Sequence, residues 1–167
     1  MTQLERDEEQ LRQWLLETTE EHGVAVIQIE GEDHPPYAFS VGAWRRFGLA
    51  EVVAIGLPPE VSQVVINDYV GRASAGEKFA PGGIYGGFLV DCPVTFEKVA
   101  KPYYPQFFGS AFLLHPNGDF PAVQMIARTP EGQWPWSADA PPGFAEYQPV
   151  LTGSGSPESW TPGFDGP

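Results

Sequence analysis

Residues 35–60, PPYAFSVGAWRRFGLAEVVAIGLPPE, contain two short apolar runs separated by an aromatic and basic turn. Glycine or proline lies beside each run, which is typical of strands that are covered on both faces. The two predicted strands cover 37–42 and 52–57. The two prolines after them favour the start of a helix, and the glutamate that follows suits the positive end of a helix dipole. This block therefore predicts a strand, a turn, a second strand and a helix.

The flanking sequence predicts the remaining elements. Apolar residues at helical spacing predict an amphipathic helix over 3–21 and a second helix near 59–74. A β-branched run at 24–29 predicts a strand, as do 88–99 and 121–128, whereas 103–115 fits a helix followed by a strand. We therefore expect an α+β fold with an N-terminal helix and a mostly antiparallel sheet of five or six strands.

Composition indicates one packed domain. The chain has 167 residues, of which 42% are hydrophobic and 13% aromatic, enough to form a substantial core. We expect the helix of residues 1–21 to pack on a core domain at 22–136. Residues 137–167 are rich in proline and glycine and are expected to form a partly disordered tail.

The formal net charge of −13 limits the classes of partner. Most of this charge lies in residues 1–21 and 137–167, so it indicates solubility rather than an acidic docking surface. No basic stripe is available to neutralise phosphates, and no nucleic-acid partner is expected. No apolar run approaches the ~20 residues of a membrane span, and the acidic N-terminus is unlike a signal peptide. We therefore expect no membrane partner and a cytoplasmic location.

Several motifs recur in an order that resembles a known family. They are His22-Gly23 before a strand, the block at 35–60, the loop at 76–79, and the segments 119–124 and 132–136. Over about 14–151 the chain resembles the bacterial family known as domain of unknown function 4262. The resemblance implies a small soluble bacterial domain and carries no activity. Leu49-Ala50 stands where a His-Pro-like pair is expected, so any role of that pair is absent here.

Candidate catalytic residues are few. Cys92, the single cysteine, excludes internal disulfides and multi-cysteine metal sites, and it is either a nucleophile or an inert packed residue. As a nucleophile, Cys92 would need His22 or His115 as its base, and a distributed site would combine His22, His115 and Asp119. The three histidines are too scattered for a local metal motif, so no metal site is expected. Ser40 lacks the Gly-x-Ser-x-Gly context of a hydrolase nucleophile.

A set of aromatic and polar residues gives the candidate binding site. Tyrosine and tryptophan combine a large apolar face with a hydrogen-bonding group, which suits ligand pockets and protein interfaces. The adjacent arginines of the set would clamp an anion. The alternative is that the aromatic side chains cap the core while the arginines pair with surface acids. The set comprises Tyr37, Ser40, Trp44, Arg45, Arg46, Tyr104, Gln124 and Trp134, with Tyr103 and Trp136 beside them.

Three functions from different classes fit these patterns. The first is a binding or accessory module for a small molecule or a protein partner. The second is a small enzyme that depends on a flavin or a nucleotide. The third is a hydrolase or transferase that uses cysteine and histidine. The sequence identifies no cofactor and no oligomeric state.

Overall fold

A computed structural model describes residues 2–159. The helices are α1 (Gln3–His22), α2 (Ala43–Phe47), α3 (Pro59–Ser74), α4 (Tyr104–Phe107) and α5 (Phe144–Tyr147). The strands are β1 (Ala25–Ile29), β2 (Tyr37–Val41), β3 (Glu51–Ile55), β4 (Ile84–Leu89), β5 (Cys92–Lys98) and β6 (Ala122–Ala127). Two 3-10 turns, Lys101–Tyr103 and Gly109–Leu113, flank α4.

The six strands form one sheet in the order β1-β2-β3-β6-β5-β4. Every neighbouring pair is antiparallel except β3 and β6, which run parallel with Val53 opposite Gln124. The predicted α+β class, the N-terminal helix, the second helix near 59–74 and the mostly antiparallel sheet are confirmed.

Alternate residues of the central strands supply two cores on opposite faces of the sheet. Ala38 and Val52 pack with Val65 and Ile66 of α3, while Phe39 and its neighbours on the other face join a second cluster. That second cluster contains Leu15 of α1, the aromatic residues of 104–120 and Leu151. Both β2 and β3 are buried throughout, as expected for strands covered on two sides.

One local prediction is wrong, and one segment that the sequence left open is resolved. Residues 88–99 form the end of a hairpin between β4 and β5 rather than one strand, and Asp91 turns the chain with a φ of 56°. Strand β4 was not predicted because residues 82–87 are rich in glycine, which is rare in strands. The pairing of β4 with β5 is also irregular between Tyr85 and Leu89. Residues 103–115 contain helical turns and no strand.

Side-chain amides hold the C-terminal segment on the sheet. Gln148 accepts a hydrogen bond from the backbone N–H of Ala127 and donates one to its carbonyl. Gln124 likewise donates to the Pro149 carbonyl and accepts from the Leu151 N–H. The predicted tail begins at 137, and its last part, 160–167, lies outside the described residues.

A helix that crosses a membrane must be both long and apolar. Between residues 2 and 159, no helix combines the two properties that crossing a bilayer requires.

Candidate functional site

Two adjoining chambers open at one edge of the sheet. Because β3 and β6 are parallel, their carboxyl ends reach the same edge, so the residues after each strand lie side by side. The turn between β4 and β5 and the short helix α5 complete the walls. Sites at the carboxyl ends of parallel strands are common in sheet proteins because strand ends and loops converge there.

The apolar chamber has a volume of about 200 Å³. Aliphatic and aromatic side chains dominate its lining, which includes Ile55, Leu57, Ala127, Phe144 and Tyr147. Few polar groups in the lining can hydrogen-bond to water, so the chamber favours an apolar ligand group.

The polar chamber is larger, at about 520 Å³, and lies against the β4–β5 turn. Its lining includes Gly86, Gly87 and Asp91. Leu89, Cys92 and Arg128 line both chambers and so mark their junction. One molecule could therefore place an apolar group in the first chamber and a polar group in the second.

Arg128 is the one charged residue that lines both chambers. Its Nε atom is buried and has no hydrogen-bond partner, and within residues 2–159 its guanidinium forms no salt bridge. Arg72 provides a contrast, because it pairs with Glu77 and Asp68. Leaving a buried N–H donor unpaired costs about 1–3 kcal/mol. Since Arg128 lines both chambers without an ion-pair partner among the described residues, its guanidinium is the charged group that an anion at the junction would approach.

The approach of α5 to the end of β3 depends on a glycine. Gly56 has a φ of +83°, and a Cβ atom there would lie 2.9 Å from the Tyr147 carbonyl oxygen. The Gly56 N–H also donates to the Pro36 carbonyl at 2.7 Å. The missing side chain therefore lets Tyr147 lie against the strand end and close one side of the apolar chamber.

The predicted residues Ser40 and Trp44 belong to a buried carboxylate cluster around Glu51. Glu51 has no solvent exposure and accepts hydrogen bonds from Ser40 Oγ at 2.7 Å and from the Trp44 N–H at 3.0 Å. The N–H groups of Gly42 and Ala43 donate to it as well. Burial raises the pKa of Glu51 to about 7, although these four donors favour the charged form and lower it. The cluster fixes the first turn of α2.

Three other predicted residues come within electrostatic range of one another. Burial lowers the pKa of His115, the positive charge of Arg45 lowers it further, and Asp119 opposes both. The Nε2 atom of His115 is buried without a hydrogen-bond partner. Arg45 and Arg46 lie exposed on α2, and neither they nor His115 line the two chambers.

The remaining predicted binding residues make packing and backbone contacts. The Tyr37 hydroxyl donates to the Gln106 carbonyl at 2.9 Å, and burial raises the pKa of Tyr37. Tyr104 stacks on Phe120, half-buried Tyr103 packs beside the same core, and Gln124 holds the C-terminal segment. The rings of Trp134 and Trp136 stack with centroids 5.3 Å apart.

Of the predicted candidates, Cys92 lines the chambers, where it is a half-exposed free thiol. Sequence reasoning missed Arg128, Phe144 and Tyr147. The position of Arg128 as the final residue of the last predicted strand, 121–128, was a usable signal, since strand ends often carry functional residues. The two aromatic residues lie in a proline- and glycine-rich segment without periodicity, which gave no signal. In the part of the chain that the structure describes, no three His, Cys, Asp or Glu side chains are grouped to hold a metal.

Comparison with known proteins supports one assignment. No curated protein and no solved structure matched the chain. A family model described as "Domain of unknown function (DUF4262)" matches residues 18–141, more than half of the chain, and includes β1 to β6 with Cys92 and Arg128. The chain therefore belongs to the DUF4262 family.

Proposed function

We propose that this domain is a binding module for a small organic molecule, which occupies the two chambers at the carboxyl ends of β3 and β6. The observation that supports this most is the pairing of an apolar chamber with a polar one across a shared wall. Small-molecule sites are typically concave, mostly apolar and supplied with a few convergent polar groups.

The size of the chambers favours a small molecule over a protein partner. Their volumes of about 200 and 520 Å³ together fall within the ~300–1,000 Å³ that is usual for ligand pockets. A stable protein interface instead needs about 800 Å² on each partner, spread over a broad and well-packed surface. Cavities of this size are better suited to a compact ligand.

Two alternative functions would use residues outside or at the margin of the chambers. A flavin- or nucleotide-dependent enzyme would use Arg45 and Arg46, and a cysteine–histidine enzyme would use Cys92 with His115. Because Cys92 lines the chambers and His115 does not, the structure gives less support to their joint action than to ligand binding.

The proposal is tested by filling the apolar chamber. Leu57→Trp adds bulk to its wall, while Val64→Trp places the same side chain on the exposed face of α3, where Val64 is 62% exposed. We expect compounds from a library of small organic molecules to stabilise the unmodified protein and Val64→Trp against heat, but not Leu57→Trp.

Thermal shift measures this difference, and far-UV circular dichroism confirms that both variants fold. Binders that stabilise Leu57→Trp as strongly as Val64→Trp would contradict the proposal, and so would a library without a single binder.

A further inference from the structure

We infer that the ligand is an organic monoanion whose carboxylate pairs with Arg128 and whose compact apolar group fills the apolar chamber. This inference rests on the proposed function and specifies the ligand class.

Arg128 is an unpaired cation within the described part of an acidic chain. The sequence carries 22 Asp and Glu against 9 Lys and Arg, yet no carboxylate between residues 2 and 159 forms a salt bridge with Arg128. Arg6, Arg45 and Arg46 also lack salt bridges, but they are exposed and solvated. Arg128 is instead half-buried and lines both chambers, so it is an unpaired cation beside the space that a ligand would fill.

Hydrogen bonds hold in place the backbone that carries the Arg128 side chain. The backbone of Arg128 is fixed, since its N–H donates to the Pro93 carbonyl and Gln148 holds the preceding Ala127. Arg128 lines both chambers, so its side chain starts from a fixed position at their junction. A planar guanidinium with five N–H donors matches a carboxylate through two parallel hydrogen bonds.

Asp91 limits the negative charge that a ligand of the polar chamber can carry. Asp91 and Arg128 both line the polar chamber. The negative charge of Asp91 would repel a second negative charge on the ligand. Phosphate groups also tend to be held by several cations or by a helix N-terminus rather than by one arginine. A single carboxylate therefore fits this pair of side chains better than a dianion.

The volume of the apolar chamber limits the size of the apolar group of the ligand. A dry cavity of about 150 Å³ in an engineered protein holds one benzene molecule. The apolar chamber, at about 200 Å³, therefore accommodates a phenyl ring or an aliphatic group of about six carbons. Phenylacetate combines such a ring with a carboxylate and is a suitable probe.

The test compares three probes by isothermal titration calorimetry on the full chain. Phenylacetate has both groups, phenylacetamide has the same shape without the charge, and acetate lacks the ring. We expect phenylacetate to bind most tightly and the other two to bind at least about tenfold more weakly, because each loses one of the two contacts.

Two variants test whether Arg128 is the residue that contacts the ligand carboxylate. Arg128→Gln should weaken phenylacetate binding to the level of phenylacetamide and leave phenylacetamide unchanged. Arg6→Gln removes the same charge from the exposed face of α1 and should bind as the unmodified protein does. If Arg128→Gln does not fold, a salt titration of the unmodified protein replaces it, since added chloride should weaken phenylacetate binding but not phenylacetamide binding.

The outcomes separate this inference from the proposed function. Equal binding of phenylacetate and phenylacetamide, with no effect of Arg128→Gln or of salt, would overturn recognition of the charge and leave the binding module standing. Failure of all three probes while other compounds bind in a Leu57→Trp-sensitive way would overturn the ligand class alone. Failure of every compound would overturn both.

Discussion

At the scale of single residues, Glu51 shows how this fold uses a buried charge. Its carboxylate is fully buried, and four donors from Ser40 and the first turn of α2 surround it. Ser40 Oγ also accepts from the Val52 N–H at 2.9 Å and so joins the cluster to β3. The carboxyl group thereby links β2, β3 and α2 at one point.

The raised pKa of Glu51 predicts a specific pH dependence. A carboxyl group with a higher pKa when folded binds more protons in the folded state, so its contribution to stability falls as the pH rises. From the ordinary value of 4.5 to about 7 in the fold, the loss is at most about 3 kcal/mol. It begins near pH 4.5 and is complete somewhat above pH 7.

Glu51→Gln isolates this contribution from the other carboxylates. The amide cannot ionise, and its NH₂ group faces backbone donors, so we expect a loss of about 1–3 kcal/mol near pH 5. That deficit relative to the unmodified protein should shrink towards pH 8, where the unmodified protein has lost the contribution of the protonated acid. Urea unfolding at several pH values measures it. A deficit that is constant or grows with pH would refute the assignment.

Ser40 and Trp44 show which members of the Glu51 cluster could be predicted from the sequence. Both were selected because they lie at the end of a strand and in the turn after it, and the structure places both at the Glu51 cluster. Glu51 itself stands just before an apolar run, where a surface acid is the ordinary expectation. Its burial depends on donors that only the folded turn brings together.

At the scale of elements, the short helix α2 depends on glycines at both of its ends. Gly42 and Gly48 have φ values of +108° and +69°. A Cβ atom at Gly42 would lie 2.3 Å from Thr19 Cγ2 of α1, whereas one at Gly48 would have no neighbour within 4 Å. Gly42 is therefore needed for conformation and for packing, and Gly48 for conformation alone.

Alanine at Gly42 and at Gly48 should separate the cost of the backbone conformation from the cost of packing against α1. We expect Gly48→Ala to cost about 1 kcal/mol, the usual cost of a left-handed conformation for a residue with a side chain. Gly42→Ala should cost about 3 kcal/mol or more, because overpacking against α1 adds to that strain. Urea denaturation of both variants gives the two values. Equal costs would show that α1 does not press on the turn as described.

The predictability of each element follows from its periodicity. The apolar stripe of α3 and the buried runs of β2 and β3 were sufficient to predict those elements. The glycines of β4 and the aromatic residues of 103–115 were not, because neither segment shows a regular period. Element α5 has four residues, too few to produce a periodic pattern.

At the scale of the whole molecule, the candidate site depends on one pairing that the sequence does not show. Strands β3 and β6 are parallel and far apart in the chain, and α3 and the β4–β5 hairpin lie between them in sequence. Only this pairing brings Leu57 and Arg128 to one edge. Predicting it requires knowledge of long-range contacts, which local patterns of hydrophobicity do not contain.

The central claim is that the paired chambers bind a compact organic anion, and Cys92 provides a built-in probe. It is the sole cysteine of the chain, is half-exposed and lines both chambers. A bound ligand should cover its thiol and slow its alkylation, because the reaction requires access to the sulfur.

The most direct measurement is the rate of Cys92 alkylation by iodoacetamide with and without saturating phenylacetate, followed by intact-protein mass spectrometry. We predict that phenylacetate slows the reaction at least about fivefold in the unmodified protein, and that phenylacetate at the same concentration has little effect in Arg128→Gln, whose weakened binding leaves the thiol accessible. An unchanged rate in the unmodified protein, at a phenylacetate concentration shown by calorimetry to saturate it, would place the ligand elsewhere and contradict the claim.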